Sequence, residues 1–175
     1  MNHTDNECIG CKIIKEGKGP AGGPVIHLEG SWTLNQYGGE EGFLGWLILQ
    51  PAEHKGDITA LTKEELRSLG ENLKEIEKAL KDYWFCNWQD DPIERLYVVS
   101  FSEYSHGHLH FHLIPRTTKM WDLLKYKCSI RAWDIYMIRH RAKFPQHYIV
   151  YPGQHNRNVE KLMDYLKKNL PNQVK

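Results

Sequence analysis

The sequence has almost no net charge: 23 lysines and arginines stand against 22 aspartates and glutamates, a formal +1 with histidine neutral. This near-cancellation argues against the broad electrostatic footprint of a nucleic-acid-polymer or anionic-membrane binder, and leaves a small phosphate ligand open. Long apolar runs are missing as well. The best, GFLGWLIL at 42–49, is far short of the roughly 18 residues that span a bilayer. The N-terminal MNHTDNECIG lacks the apolar core of a signal peptide, so a soluble, cytoplasmic protein is expected. Cysteine is sparse, at Cys8, Cys11, Cys86 and Cys128, too sparse for a secreted disulfide framework in a chain of this size. The glycine-rich loop GKGPAGGP at 17–24 does not contain the GxxxxGK[ST] pattern of a phosphate-cradling loop. There is no internal repeat and no low-complexity segment.

What is present suits one domain of 175 residues with a sizeable core. PVIHLEG and SWTLNQY read as strands separated by a turn at Gly30, and FLGWLILQP as a buried strand ending at Pro51. The clearest helix starts after Thr62. Thr62 and Glu65 fit a capping box, and Leu61 with Leu66 a hydrophobic staple. Leu66, Leu69, Leu73, Ile76, Leu80 and Tyr83 then form a stripe for packing on a sheet, with a dimer contact as the minority use. RLYVVSF at 95–101 reads as a strand antiparallel to the segment after it. Val159, Leu162, Met163, Leu166 and Leu170 predict a last amphipathic helix stopped by Pro171. HYIVYP suits a short strand, while 118–144 shows no clean period.

One stretch demands chemistry. HGHLHFHLIPR at 106–116 sets His106, His108, His110 and His112 at alternate positions, with Leu109, Phe111 and Leu113 between them. On a strand the four rings share one face. Same-face neighbours stand roughly 6.6 Å apart and the outer two of three roughly 13 Å. One metal at about 2 Å from each nitrogen takes two such rings and leaves the others over. A neutral imidazole is also a nucleophile at cytosolic pH, and its neighbours can donate hydrogen bonds to the anion it attacks. Polar surface filler explains His106 well but not three histidines embedded in apolar residues. The Cys8–Cys11 pair adds half a metal site, more telling of metal or redox work than of a disulfide.

His108-Leu109-His110-Phe111-His112-Leu113-Ile114 resembles the histidine-triad signature, three histidines alternating with apolar residues. CxxCKI at 8–13, GWLILQPAEH at 45–54, LTKEE at 61–65 and LYVVSFSE at 96–103 are similar, in order, to other segments of that nucleotide hydrolase and transferase family. The resemblance runs over roughly 8–116. It implies an α+β fold with a curved antiparallel sheet and a long packed helix. Residues 1–116 would form the catalytic domain and 117–175 a C-terminal extension packed on it, supplying a dimer contact or a lid with Trp121 and Trp133, or simply completing the core.

The resemblance also implies roles. His110 would attack the α-phosphorus of a nucleotide, giving a covalent nucleotidyl-histidine that water hydrolyses, with dinucleoside polyphosphates or nucleoside phosphoramidates as substrates. His112 would hydrogen-bond phosphate oxygens. Ser105 would contact the phosphate or leaving group, and Asn35 and Ser100 would bind the nucleotide, Asn35 at the ribose. Ile26, Trp32 and Leu34 would line a base pocket or else fill the core. Structural zinc would sit between Cys8, Cys11, His54 and His108, and a homodimer is implied. Glu103-Tyr104 replaces the family's Gly-Gln just before the triad, which leaves the leaving-group preference open. Two rivals stand beside this reading: a metal-dependent hydrolase using His108 and His110 together, and a non-catalytic nucleotide-binding module.

Overall fold

The structure is a computed structural model and describes residues 8–39, 42–100, 107–120, 150, 156–171 and 173. A short helix opens it: α1, Ile9–Glu16, capped by the Cys8 side chain and closed by Gly17 at a φ of 65°. None of its residues is buried. An unburied helix leaves no core-facing stripe to read, and the sequence pattern gives no sign of it.

Five strands follow: β1 (Ile26–Leu28), β2 (Trp32–Gln36), β3 (Leu47–Pro51), β4 (Ile93–Val99) and β5 (Phe111–Thr117). They form one antiparallel sheet in the order β1-β2-β3-β5-β4. The two central ladders fix the functional row. Asn35 pairs with Ile48, Ile48 with His112, and His112 with Val99. Directly opposed residues share a face, so Asn35, Ile48 and His112 lie together on one side. The other side carries Ile26, Leu28, Trp32, Leu34, Leu47, Leu49 and Leu113, all nearly inaccessible. This places Ile26, Trp32 and Leu34 in the core, not around a base pocket.

The long helix α2, Lys63–Asn87, starts with the expected capping box between Thr62 and Glu65. Its buried face departs from the expected leucine stripe in the first half. Glu65, Ser68 and Asn72 are buried there, while Leu66 is 47% exposed and Leu69 and Leu73 are half-buried. The cause is the β1–β2 turn, whose polar groups need partners. The Trp32 indole donates to the Glu65 carbonyl at 3.0 Å, and the Asn72 amide donates to the Glu29 carbonyl at 3.0 Å. Gly30, at a φ of 72°, lies so close that a Cβ would meet Ser68 Oγ at 1.8 Å. From Ile76 to Trp84 the apolar stripe resumes.

The C-terminal helix α3, Arg157–Asn169, is capped by Asn156 and ends where expected, at Leu170 before Pro171. It packs against α2 and β2. Val159, Leu162, Met163 and Leu166 enter the same core as the sheet. No helix among the described residues is long and apolar enough to cross a membrane.

Candidate metal centre and histidine cluster

Cys8 and Cys11 are three apart at the start of α1, a spacing that puts both side chains on one side of a helix. The Cys11 amide points at Cys8 Sγ, 3.5 Å away. β3 ends at Pro51, and the turn after it carries His54 to Cys11, Nδ1 to Sγ 3.5 Å. His108 faces both cysteines, its Nδ1 3.6 Å from each sulfur. Its other nitrogen, Nε2, donates to the Pro51 carbonyl at 2.9 Å. The proton is therefore on Nε2, and the Nδ1 lone pair points at the sulfurs. Burial also pushes the His108 pKa down, favouring the neutral ring that a metal requires.

The four donor atoms lie within 4.8 Å of one another. A tetrahedral zinc, with Zn–S near 2.3 Å and Zn–N near 2.05 Å, requires sulfur and nitrogen ligands about 3.6 Å apart. The observed sulfur–nitrogen distances match that geometry. The His108 Nε2 bond to a carbonyl is the outer support that metal-binding imidazoles ordinarily carry. Gly10, between the cysteines, is required by the close docking of α1: a Cβ there would sit 2.8 Å from His108 Nδ1. All four residues that the resemblance assigns to metal are thus brought together.

The alternation of histidines does not lie on a single regular strand. β5 begins only at Phe111, and residues 107–110 before it belong to no strand. That segment bonds instead to the turn after β3, with the Leu109 amide donating to the Lys55 carbonyl at 2.7 Å. The result separates His108, turned to the cysteines, from His110 and His112, which face each other with Nε2 atoms 3.1 Å apart.

The protonation pattern of that pair follows from its fixed partners. The His110 Nδ1 lies 2.7 Å from the His108 carbonyl oxygen, which can only accept, so Nδ1 carries the proton. His112 Nδ1 lies 2.9 Å from the Trp46 indole nitrogen, which can only donate, so Nδ1 is unprotonated. Neutral His112 therefore holds its proton on Nε2 and donates it to the His110 Nε2 lone pair. Burial is the main cause, and the neighbouring His110 the second, of a His112 pKa pushed down to about 4. His112 is neutral near pH 7.

Asn35 sits two strands away from His112 in the same row, roughly 10 Å at ordinary strand spacing. Its amide donates to the Gln36 carbonyl, while its Oδ1 is buried without a hydrogen-bond partner among the described residues. Ser100 follows β4 and is exposed. Ser105 and His106, with Cys128, Trp121 and Trp133, lie outside the described residues. Trp46 is the participant that sequence reading misses. The usable signal was its place in the apolar run just before β3, where a buried indole N–H must find a partner.

No protein-family model matches this sequence, and no curated protein matches it at a significant level. Solved structures do. A zinc-bound histidine-triad family protein from Mycobacterium smegmatis superposes with a TM-score of 0.57 at 12% identity, over 94% of this chain and 96% of that one. A Hit-like protein involved in cell-cycle regulation from Bartonella henselae, solved with an unknown ligand, gives 0.54 at 17% identity, over 97% and 100%. At such identities the likeness is one of architecture, and it spans nearly the whole of each chain. The five-stranded antiparallel sheet with its packed helices is the histidine-triad fold.

Proposed function

We propose that the protein is a histidine-triad nucleotide hydrolase or nucleotidyl transferase in which His110 is the nucleophile. The observation that carries this reading is the His110–His112 pair. One ring holds an unprotonated nitrogen fixed by the other ring's N–H, so a nucleophile and a donor for phosphate oxygen stand side by side. His110 Nε2 would bond to the α-phosphorus as the bond to the leaving group breaks, the leaving group taking up a proton. Water would then break the nitrogen–phosphorus bond and release the nucleoside monophosphate. His112 donates to the phosphate oxygens as charge builds. The orphan Oδ1 of Asn35, on the same face, suits a ribose hydroxyl. Ser100 and Ser105 complete the nucleotide site in this reading, and dinucleoside polyphosphates or nucleoside phosphoramidates are the substrate classes.

Cys8, Cys11, His54 and His108 would hold zinc. Four protein ligands leave no open position, so the ion supplies rigidity to the chain around His108 and not a reactive water. The cysteine pair, kept reduced, fits a cytoplasmic setting, and a homodimer belongs to the same proposal. The metal-dependent rival fares worse on geometry: His108 Nδ1 faces the cysteines while His110 Nε2 faces His112, so the two rings do not converge on one ion.

The test is to mix the protein with a labelled adenosine phosphoramidate, quench in alkali and map the adduct. Label on His110, lost in His110→Ala together with turnover, supports the reading. Binding of adenosine monophosphate with no adduct would instead favour a nucleotide-binding module.

A further inference from the structure

We infer that Trp46 is a positioning residue: its indole N–H fixes the tautomer of His112, so that His112 always presents Nε2–H toward His110. The catalytic meaning of this rests on the proposed function, but the tautomer itself does not. The indole nitrogen lies 2.9 Å from His112 Nδ1. Indole is a donor with no acceptor capacity and no titration in the accessible pH range. Opposite it, Nδ1 can only be a lone pair. With His112 neutral, the proton has nowhere to go but Nε2, which lies 3.1 Å from His110 Nε2. A hydroxyl or an imidazole in place of Trp46 would accept as readily as donate, and would leave both tautomers open.

Packing accounts for an aromatic residue here but not for the aim of its N–H. Trp46 stacks on Tyr37 with centroids 4.6 Å apart, and both rings stand edge-on to His112. The turn that delivers it is held by buried Gln36, whose amide donates to the Phe43 carbonyl at 2.8 Å and accepts from the Gly45 amide at 3.0 Å. Gly45, at a φ of 82°, lies where a Cβ would meet the Trp84 ring at 2.8 Å. Tyr37 and Trp46 are joined once more through the backbone, the Tyr37 amide donating to the Trp46 carbonyl at 2.8 Å. The indole thus reaches His112 from a braced position.

The consequence is a fixed division of roles. Neutral His112 can give a proton-bearing hydrogen bond to an anionic oxygen but cannot accept one at Nε2. In the structure that N–H rests on the His110 lone pair. An incoming phosphate oxygen would draw it away and leave the lone pair free to attack.

The experiment is nitrogen NMR on histidine-labelled protein, in the wild type, Trp46→Phe and Trp46→His. The wild type should show His112 as the Nε2–H form. Trp46→Phe should show a mixture of tautomers, with kcat lower by about tenfold to a hundredfold and KM little changed, short of the roughly 10⁴-fold cost of a fixed wrong tautomer. Trp46→His, whose imidazole can accept as well as donate, should likewise show both tautomers and a kcat below that of the wild type. An unmixed Nε2–H form in Trp46→Phe, or a mixed one with undiminished kcat, overturns the inference. If neither variant folds, the wild-type spectrum decides, since a proton on His112 Nδ1 overturns it outright. Failure of the catalytic reading is seen separately, as an absence of label on His110 in the wild type.

Discussion

The carbonyl oxygen of His108 accepts the Nδ1–H of His110 at 2.7 Å, while the ring of the same His108 faces two cysteine sulfurs 3.6 Å away. One residue therefore joins the candidate metal cluster to the proposed nucleophile, by side chain on one side and backbone on the other. Anything that frees the His108 ring loosens the orientation of His110 without removing either of its nitrogens.

That link sets the expected result of metal removal. The purified protein should contain about one zinc per chain. Cys8→Ser should lose it and melt at a lower temperature. Labelling of His110 should persist at a reduced rate, because the nucleophile is displaced and not deleted. Elemental analysis and adduct mapping on the same samples check both halves. Complete loss of labelling in a variant that remains folded would point to a reactive metal.

Gly10→Ala tests the docking of α1 without replacing any of the four metal-site residues. The added methyl meets His108 Nδ1 at 2.8 Å and His108 Cβ at 3.0 Å, so the helix must back away from the ring. Metal affinity should fall by about 10- to 100-fold, the usual scale for disturbing a ligand's support. Competition with a chromogenic chelator measures it.

Acid should destabilise the protein through His112. Its pKa is pushed down to about 4 in the folded state by burial, against an ordinary 6.5 when unfolded. The unfolded chain therefore binds the proton first as pH falls, so stability declines from about pH 6.5 toward 4 and this contribution levels off below. The loss is at most roughly 3 kcal/mol. Urea melts of wild type and His112→Gln across that window should differ in slope, the variant being the flatter.

Asn35→Ala should weaken binding of adenosine monophosphate by about tenfold, the worth of one or two hydrogen bonds. The same variant should no longer distinguish the ribose nucleotide from its 2′,3′-dideoxy analogue. Isothermal titration with the two ligands gives the answer. An unchanged preference for the ribose form would remove Asn35 from the site.

The parts of the fold legible in sequence were those written in local chemistry. Thr62 and Glu65 fix the start of α2 because a capping box needs only four residues. Alternating histidines and apolar residues located β5 to within a few positions. The polar half of the α2 interface was not legible, because Glu65, Ser68 and Asn72 are buried against a turn forty residues away in sequence. The four metal donors could be assembled only through resemblance, since His54 and His108 carry no spacing that ties them to the cysteines. Trp46 stayed hidden for a related reason: its partner lies 66 residues on, and an apolar run explains a tryptophan well enough without one.

The helix α1 buries none of its residues, so a metal held by Cys8 and Cys11 would be what ties the amino-terminal segment down. Apolar burial does little to keep it in place, so its attachment should follow the metal. In a chelating buffer Lys12 and Lys15 should become early trypsin sites while the sheet stays protected, so the rate of that first cut would report the free-zinc level. The same peptide that completes the proposed metal site would serve as its tell-tale.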